Sequence, residues 1–329
     1  MSRIAVAIVN YNTARDLREC LGSVYGAGAD EVVVKDNGST DGSVEVVRRD
    51  FPRTVVHPDF GNPGYGAASN QAIAACRAEY VLLLNSDTLL ARDTLAVLNE
   101  YLAANPRVGL VGPRLHNVDG SLQRSAHGFP APFTIRPVLR YIPVLRDRSL
   151  LTWPHDRTRP VPWVKGAALA IRRTAFDAVG GFDPSFFMYF EETDLCRRLW
   201  NAGWEVHFTT ATTIVHKGGA STTQMRAAMA LQFYVGMRQF YARHYSPSRQ
   251  AGLDAVLKAT SAVLWVRDRA RLAFARTPEA SVRLGEELRN WSRIIRDDWP
   301  VRPARPSAGA TAFTADGAGR PNPDTVASR

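Results

Sequence analysis

Residues 80–90 read YVLLLNSDTLL, and the rest of the chain is best interpreted around this segment. Its first part, Tyr80–Leu84, is apolar and uncharged, as expected of a strand that is buried on both faces of a sheet. The apolar run stops at Asn85–Asp87, and a helical pattern is predicted to begin at Leu89. Open α/β sheets bind ligands beyond the carboxyl ends of their strands, so the polar turn is a candidate ligand site.

The same turn also has a structural interpretation, in which Asp87 or Thr88 caps the following helix. However, it offers carboxylate, amide and hydroxyl oxygens, which are ligands suited to Mg²⁺ or Mn²⁺. Segments elsewhere in the chain decide between the two interpretations.

The composition is that of a globular protein with a marked positive charge. Hydrophobic residues make up 45% of the 329 residues, and the formal net charge is +10. This charge predicts attraction to nucleic acid, an anionic membrane face or a phosphorylated substrate. Cys20, Cys76 and Cys196 form no CxxC pair, which favours reduced thiols in the cytosol over disulfides or a zinc cluster. No segment reaches the roughly 18 apolar residues of a membrane span, so we expect a cytoplasmic protein.

Strands and helices are predicted to alternate in the first part of the chain. The predicted strands are Ile4–Val9, Glu31–Val34, Thr54–His57, Tyr80–Leu84 and Val108–Val111. The predicted helices include Leu17–Val24, begin again near Val44, and then span Ala67–Cys76 and Leu89–Ala104. This alternation is typical of parallel strands joined by crossover helices. We therefore predict an α/β fold, with a mostly parallel, Rossmann-like sheet flanked by helices.

The pattern is looser after Arg114. Asp119-Gly120 is typical of a hairpin turn, and the many prolines between Gly128 and Pro162 predict a loop or lid. Further strands are predicted at Ala168–Ile171, Val206–Thr209 and Thr212–Val215, and further helices at Thr174–Val179 and Leu195–Ala202.

The segment Met225–Trp299 is predicted to form helices rich in arginine. One side of Leu253–Phe274 is apolar, although Arg267 and Arg271 interrupt it. This side comprises Leu253, Val256, Leu257, Val263, Leu264, Ala270 and Phe274. It either packs on the domain or lies as a basic helix on anionic lipid. The composition from Pro300 onward predicts a disordered tail.

Four polar clusters lie at strand ends that a parallel sheet would bring to one edge. They are Asn10–Asn12, Asp36–Ser43, the glycine loop Gly61–Gly66, and Asn85–Asp87 together with His216. The Asp36 carboxylate can accept a hydrogen bond from a pyrimidine N–H or from a ribose hydroxyl, or it can form an Asx-turn. Asp87 and His216 could hold a divalent ion that offsets charge on a departing phosphate. A structural role is the alternative for His216.

Carboxylates also cluster in Glu191–Asp194. Like charges this close repel one another, so shifted pKa values are expected, and a carboxylate with a raised pKa suits general-base catalysis. The alternative is an acidic first turn that complements the helix dipole. That alternative does not explain why the aromatic run Phe186–Phe190 leads directly into the cluster.

Together these residues resemble the family-2 glycosyltransferases, which are nucleotide-sugar-dependent enzymes of the GT-A fold. The similarity runs from about Ile4 to Ser221, and the motifs occur in the family's order. They are VAIVNYN (Val6–Asn12), KDNGSTDGS (Lys35–Ser43), GNPGYGAASNQA (Gly61–Ala72), LLLNSDT (Leu82–Thr88), WVKGAALAIRR (Trp163–Arg173), GGFDPSFFMYFEETDLCRRLWNAGW (Gly180–Trp204) and VHKGGAS (Val215–Ser221). The sequence is most similar to the bacterial rhamnosyltransferase branch.

The resemblance implies a role for each matching residue. Donor-binding residues would be Asn10, Asn12, Asp36, Gly64, Gly66, Asn70, Asn85 and Ser86. Metal ligands for Mg²⁺ or Mn²⁺ would be Asp87 and His216, and acceptor-binding residues would be Trp163, Gly166 and Tyr189. The catalytic base would be Glu192, with Glu191 and Asp194 as alternatives. Two positions depart from the family pattern: Asn85 replaces the first Asp of the DXD motif, and Glu192 stands where Asp is usual.

The implied activity is inverting transfer of a sugar, L-rhamnose from dTDP-rhamnose, to a cell-envelope glycan or a polyprenyl-diphosphate-linked acceptor. UDP-galactofuranose or a UDP-hexose is an alternative donor, and a non-catalytic nucleotide-sugar-binding protein is an alternative of another class. Residues 1–224 would form the GT-A domain, with a nucleotide-sugar part to about 113 and an acceptor part beyond it. A helical extension (225–299) and a tail (300–329) would follow. We expect peripheral contact with the inner membrane face, and no nucleic-acid partner because DNA- and RNA-binding signatures are lacking.

Overall fold

The computed structural model describes residues 4–59, 61–130, 153–218 and 226–298. These residues belong to two compact units, one containing residues 4–129 and 153–218 and the other containing residues 226–298. The predicted tail and most of the predicted lid lie outside the described residues, and the predicted domain boundaries stay predictions.

The first unit contains the following strands and helices. Its strands are β1 (Ile4–Asn10), β2 (Val32–Asp36), β3 (Val55–Pro58), β4 (Tyr80–Asn85), β5 (Thr88–Leu90), β6 (Val108–His116), β7 (Leu122–Gln123), β8 (Ala126–His127), β9 (Arg159–Pro160), β10 (Trp163–Val164), β11 (Ala168–Arg172) and β12 (Glu205–His216). Its helices are α1 (Ala14–Gly26), α2 (Ser43–Asp50), α3 (Tyr65–Ala75), α4 (Thr94–Ala104), α5 (Arg173–Ala178) and α6 (Glu191–Asn201).

A ten-stranded mixed sheet in the order β3-β2-β1-β4-β11-β6-β12-β5 organises this unit, with β7 and β9 at the side. β1 is parallel to both β2 and β4, whereas β11 is antiparallel to β4 and β6. The predicted α/β fold with a mostly parallel sheet is confirmed. β4 is the buried centre, as its uncharged run predicted.

One strand replaces the predicted start of the fourth helix. Leu89 lies in β5, and α4 begins only at Thr94. Leu89 and Leu90 pair with Val215 and Ile214 of β12, so hydrogen bonds to a distant strand determine their conformation. A short apolar run is compatible with a helix or a strand, and the prediction of a helix here was wrong.

Two other boundaries differ from the prediction. The two strands predicted between Val206 and Val215 are one strand, β12, whose register against β6 shifts between Thr209 and Thr213. Such an irregularity bends a strand without ending it. α6 begins at Glu191, ahead of the predicted Leu195 boundary, and the acidic cluster forms its first turn, which is the alternative that the sequence left open.

The three cysteines are free and buried. Burial raises the pKa of Cys20, Cys76 and Cys196 to about 12, so these thiols are poor nucleophiles.

The second unit consists, within the described residues, of the helices α7 (Arg226–His244), α8 (Pro247–Ala273) and α9 (Pro278–Ile295). Its α8 buries Leu253, Leu257, Ser261, Leu264 and Asp268. Among the described residues, none of the helices combines the length and the apolar character needed to cross a bilayer.

The apolar side predicted for α8 was partly wrong. Val263 and Phe274 are 68% and 83% exposed, because Ser261 and Asp268 occupy the buried side. Asp268 can be buried there because it accepts a hydrogen bond from Trp291 Nε1 at 3.0 Å and pairs with Arg267 at 2.7 Å.

The start of α3 fixes a loop that carries aromatic residues. Tyr65 N donates to the Phe187 carbonyl oxygen at 2.8 Å, and Asn70 exchanges two hydrogen bonds with the Phe182 backbone. Gly64 has φ +93°, and a Cβ at this position would lie 2.5 Å from the Phe187 oxygen. Only glycine permits this conformation and this close approach without strain.

Gly64→Ala is therefore expected to lower the free energy of unfolding by about 2 kcal/mol or more. Urea unfolding, followed by circular dichroism, measures the change. Gly61→Ala is the matched control, because a Cβ at Gly61 meets no atom within 4 Å. Equal stability of the two variants would show that the close approach at Gly64 does not matter.

Candidate active site

The carboxyl ends of β1, β2 and β4 meet at one edge of the sheet. Asn10 pairs in register with Asp36, and Asn10 Nδ2 donates to Asp36 Oδ2 at 2.8 Å. Thr13 Oγ1 donates to Asn10 Oδ1 at 2.6 Å and lies 2.7 Å from Ser86 Oγ. A buried chain of hydrogen bonds thus joins three of the predicted polar clusters.

Asp36 forms the Asx-turn that the sequence left as an alternative. Its Oδ1 accepts from the amides of Gly38 at 3.2 Å and Ser39 at 2.8 Å, and its Oδ2 accepts from Asn10 and from Ser39 Oγ. The carboxylate is 1% exposed, and its lone pairs are engaged. A contact with a pyrimidine stays a prediction, and it would require this loop to rearrange.

Asn12 connects the loops after β1 and β2. Its side-chain Oδ1 accepts from Thr40 N at 2.8 Å, and its backbone N–H donates to Ser39 Oγ at 2.8 Å. It holds these contacts in a left-handed conformation, with φ 50°. The predicted donor-binding residues of this edge therefore form one cross-linked surface.

The glycine loop leads into α3, as predicted, and it contacts the segment that precedes the acidic helix. The Gly64 amide donates to Asn62 Oδ1 at 3.0 Å, so it is already bonded. A Cβ on Gly66 would lie 3.3 Å from Phe182 Cβ and 3.5 Å from Glu191 Cβ. Gly64, Gly66 and Asn70 thus position the 182–191 segment, and direct contact of these residues with the donor stays a prediction.

Asp87 and His216 lie together, both nearly buried. Asp87 Oδ1 is 3.3 Å from His216 Nε2, and Asp87 Oδ2 accepts from Gly218 N at 3.1 Å. Asn85 Nδ2 lies 3.4 Å from the same His216 nitrogen. Burial raises the pKa of Asp87, but its hydrogen bonds to His216 and Gly218 lower it more, so the pKa falls below its usual value.

Gln123, which the sequence analysis did not single out, orients the histidine. Its Nε2 donates to Asn117 Oδ1 at 2.8 Å and to the His216 carbonyl oxygen at 3.1 Å. Its Oε1 therefore faces Lys165 Nζ at 3.0 Å and His216 Nδ1 at 2.6 Å. The Nδ1 proton is thereby fixed, and Nε2 is left facing Asp87. The predicted hairpin at Asp119-Gly120 was the only sequence signal for this residue.

These atoms can hold a cation. With Nδ1 facing Gln123, His216 Nε2 faces Asp87, and its lone pair could serve as a metal ligand together with the Asp87 carboxylate. The described residues contain no group of three or more His, Cys, Asp and Glu side chains suited to a metal. Asp87 and His216 would therefore supply only part of a coordination shell.

A strained turn precedes the acidic helix. Tyr189 and Phe190 both have left-handed backbones, with φ 68° and 70°. This conformation is costly for bulky residues, and it persists only where the surroundings enforce it. It aims the first turn of α6, which begins with Glu191 and Glu192.

Glu191 is buried, Glu192 is half-buried with its Oε2 atom covered, and both carboxylates are only partly hydrogen-bonded. Glu192 Oε1 accepts from Gly166 N at 3.4 Å, while the Oε2 atoms of both residues have no hydrogen-bond partner in the described chain. Burial, and next the charge of Glu192, raises the pKa of Glu191 well above its usual value. Burial also raises the pKa of Glu192, although the Gly166 amide and the Lys165 charge oppose it.

Asp194 differs from the two glutamates. Its side chain is fully buried and accepts from Arg198 Nε at 2.7 Å, and Arg198 also donates to the Val179 carbonyl oxygen. An ion pair of this kind stabilises the helix and leaves the carboxylate engaged.

Tyr65 lies beside the segment that carries Gly166, near the acidic pair. Its hydroxyl donates to the Gly166 carbonyl oxygen at 2.9 Å. Burial raises the pKa of Tyr65 well above its usual value, and the charges of Glu191, Glu192 and Asp87 raise it further. All three carboxylates thus lie within electrostatic reach of one phenol. Tyr65 lies within the glycine-loop motif but was not predicted as a site residue.

The predicted acceptor residues differ in their relation to this pair. Gly166 touches Glu192, and the pKa of Tyr189 is raised by burial and then by Glu191 and Glu192. Trp163 stacks on His127, with ring centroids 4.6 Å apart, and its Nε1 donates to the Gly128 carbonyl oxygen. Its acceptor role stays a prediction.

A mostly parallel sheet that gathers carboxylates at its strand ends is the architecture of a GT-A glycosyltransferase. Residues 5–196 match the model of Glycosyl transferase family 2. The chain belongs to this family and is a glycosyltransferase.

Similar proteins agree with this assignment. The N-acetylglucosaminyl-diphospho-decaprenol L-rhamnosyltransferase of Mycobacterium tuberculosis is 29% identical over 284 residues, which cover 79% of this chain and 91% of that protein. Rhamnosyltransferase WbbL of Escherichia coli is 28% identical over 46% of this chain and 60% of its own length. The solved mannosyltransferase PcManGT of Pyrobaculum calidifontis has a TM-score of 0.50 at 21% identity, covering 90% of this chain and 88% of that one, and shows the fold alone.

The raised pKa of Glu191 makes stability depend on pH in a defined direction. The folded protein binds this proton more tightly than the unfolded chain. The resulting stabilisation is complete below the unfolded-state pKa and is lost as the pH rises through the folded-state pKa. We expect Glu191→Gln to become progressively more stable than the wild type as the pH rises from acidic to neutral values. Urea unfolding across this range measures the difference.

Glu100→Gln, on the exposed side of α4, is the control and should follow the wild-type profile. If the stability of Glu191→Gln followed the same pH dependence as the wild type, burial would not raise the pKa of Glu191 in the folded protein.

Proposed function

We propose that this glycosyltransferase inverts the donor's configuration and moves L-rhamnose from dTDP-rhamnose to a hydroxyl group of a polyprenyl-diphosphate-linked sugar. The carrying observation is the adjacent pair Glu191 and Glu192, each with a covered carboxylate oxygen that has no hydrogen-bond partner within the described residues. The rhamnose donor and lipid-linked acceptor are supported by the name of the mycobacterial relative, which matches over most of both chains. Such an acceptor is consistent with peripheral contact at the inner membrane face.

Glu192 is the proposed base. Its carboxylate takes the proton of the acceptor hydroxyl as that oxygen attacks the anomeric carbon, and the nucleoside diphosphate leaves from the opposite face. Glu192 ionises before Glu191. The Gly166 amide and the Lys165 charge favour the charged form of Glu192, whereas Glu191 packs against Gly66 and its burial favours the neutral form. Glu191 then stays protonated beside it, since two adjacent buried carboxylates resist double ionisation.

Asp87 and His216 are the proposed protein ligands for Mg²⁺ or Mn²⁺. They fit this role because Asp87 Oδ1 and His216 Nε2 lie 3.3 Å apart, and Gln123 holds the His216 ring in place. When bound, the ion would supply positive charge against the leaving diphosphate. The PcManGT structure contains Mn²⁺ and GDP-mannose, which supports a divalent ion in this fold.

Glu192→Gln should lower transfer by about a hundredfold or more, because the amide cannot accept the acceptor's proton. The assay combines dTDP-rhamnose with a synthetic polyprenyl-diphosphate N-acetylglucosamine and follows the lipid product by mass spectrometry. Parallel reactions with UDP-galactofuranose and UDP-glucose test the alternative donors.

Asp194→Asn is the matched control, since it breaks the Arg198 ion pair and should lower thermal stability while the folded fraction remains active. Near-wild-type turnover of Glu192→Gln would show that the base is another residue. Product from a UDP-sugar alone would replace the proposed donor, and no product from any donor would refute the proposed reaction.

Gln123→Ala should weaken Mn²⁺ binding by about ten- to a hundredfold, because His216 loses the hydrogen bond that orients it. Electron paramagnetic resonance titration of free Mn²⁺, with dTDP present, measures the affinity without a transfer assay. Gln71→Ala, on the exposed side of α3, should bind like the wild type. Equal Mn²⁺ affinity of all three proteins would contradict the assigned role of Gln123.

A further inference from the structure

A groove of about 510 Å³ runs between α8 and α9 of the second unit. Four arginines line it, together with Trp265 on one wall and Asp298 at one end. The arginines are Arg269 from α8 and Arg289, Arg293 and Arg296 from the end of the chain's last described helix and the turn after it. Arg289, Arg293 and Arg296 recur at spacings of four and three residues, so they share one side.

The positive charge of this groove is largely uncompensated. Within the described residues, Arg269, Arg289 and Arg296 have no carboxylate partner, and Arg293 lies 4.0 Å from Asp298 at the limit of an ion pair. Residues 226–298 as a whole contain thirteen Arg and Lys against seven Asp and Glu, a formal charge of +6. Guanidinium groups bind phosphate oxygens through paired hydrogen bonds, so the groove suits a phosphate ligand.

Exposed apolar side chains lie beside the arginines. Val266 is 64% exposed and precedes Arg269 by three residues on α8. On α9, Val282 is 63% exposed and lies two turns before Arg289. Trp265 is held against α9, because its Nε1 donates to Ser292 Oγ at 3.1 Å. Arginine, tryptophan and exposed valine on one side are the composition of a surface that enters the headgroup region of a bilayer.

We propose that this arginine groove binds the phosphate groups of anionic lipids and seats the second unit on a bilayer surface. The apolar flanks favour lipid over a free anion or a nucleic acid, since they gain from contact with the acyl region. The proposal rests on the proposed function only in that a polyprenyl-linked acceptor lies in such a bilayer. Its test measures binding without catalysis, so the two can fail separately.

The experiment is flotation of the full chain with vesicles of phosphatidylcholine alone or mixed equally with phosphatidylglycerol. We expect binding to the mixed vesicles only. Arg289→Ala combined with Arg293→Ala should weaken that partition about thirtyfold, which corresponds to about 1 kcal/mol for each arginine near an anionic surface. Arg276→Ala combined with Arg283→Ala removes the same charge from exposed positions that do not line the groove, and should have a smaller effect.

Further arms separate the possible ligands. Vesicle binding that is weakened in the groove variant and is also weakened by excess inorganic pyrophosphate supports lipid phosphate in the groove, whereas pyrophosphate binding lost in the groove variant with vesicle binding intact would assign the groove to a soluble phosphate compound. Equal losses in both double variants would attribute the effect to net charge alone. No vesicle binding, or preferential binding of single-stranded RNA, would also overturn the proposal. Circular dichroism confirms that each variant is folded.

Discussion

The parallel pairing of β1 between β2 and β4 is the constraint on which the site depends. It places Asn10 beside Asp36 and Val9 beside Asn85, so the loops that follow β1, β2 and β4 lie at one edge of the sheet. A shift of one residue in either ladder would turn the alternating side chains to the opposite face of the sheet. Both faces of β1 and β4 are buried, so such a shift would exchange the side chains that pack on the two faces and would disturb both packed layers. The chemistry at the edge is therefore positioned by packing that takes no part in it.

A second constraint acts from the opposite side of the site. The 182–190 segment has little regular structure, yet it must deliver Glu191 and Glu192 accurately. Gly64, Tyr65 and Asn70 hold it through backbone contacts, and the left-handed pair Tyr189 and Phe190 completes the turn. Such strain is maintained only where neighbouring contacts over-determine it. The glycine loop thus connects the nucleotide side of the fold to the acidic helix.

The sequence predicted those features that local pattern determines. Tyr80–Leu84 could be only a buried element, and turn-forming residues marked the strand ends correctly. The prediction of a helix at Leu89 was wrong because pairing with β12 outweighs the local sequence pattern. No local signal reveals a strand partner so distant in the chain. Gln123 was missed for the same reason, since its role arises only when a short strand meets the end of β12. The sequence allowed Asp36 either to bind the nucleotide or to form an Asx-turn, and only the hydrogen bonds of its loop identified the Asx-turn.

The electrostatics of the two ends of the site point in opposite directions. At Asp87, hydrogen bonds with His216 and Gly218 outweigh burial and favour the charged form, whereas at Glu191 burial dominates and favours the neutral form. Tyr65 lies within reach of both, and its own ionisation is strongly suppressed. Carboxylates whose pKa values are shifted in opposite directions suit the two proposed roles, a cation ligand at Asp87 and a proton acceptor beside Glu191. The proposed single displacement would use both, since positive charge would meet the leaving diphosphate while the acceptor oxygen loses its proton on the opposite side of the sugar.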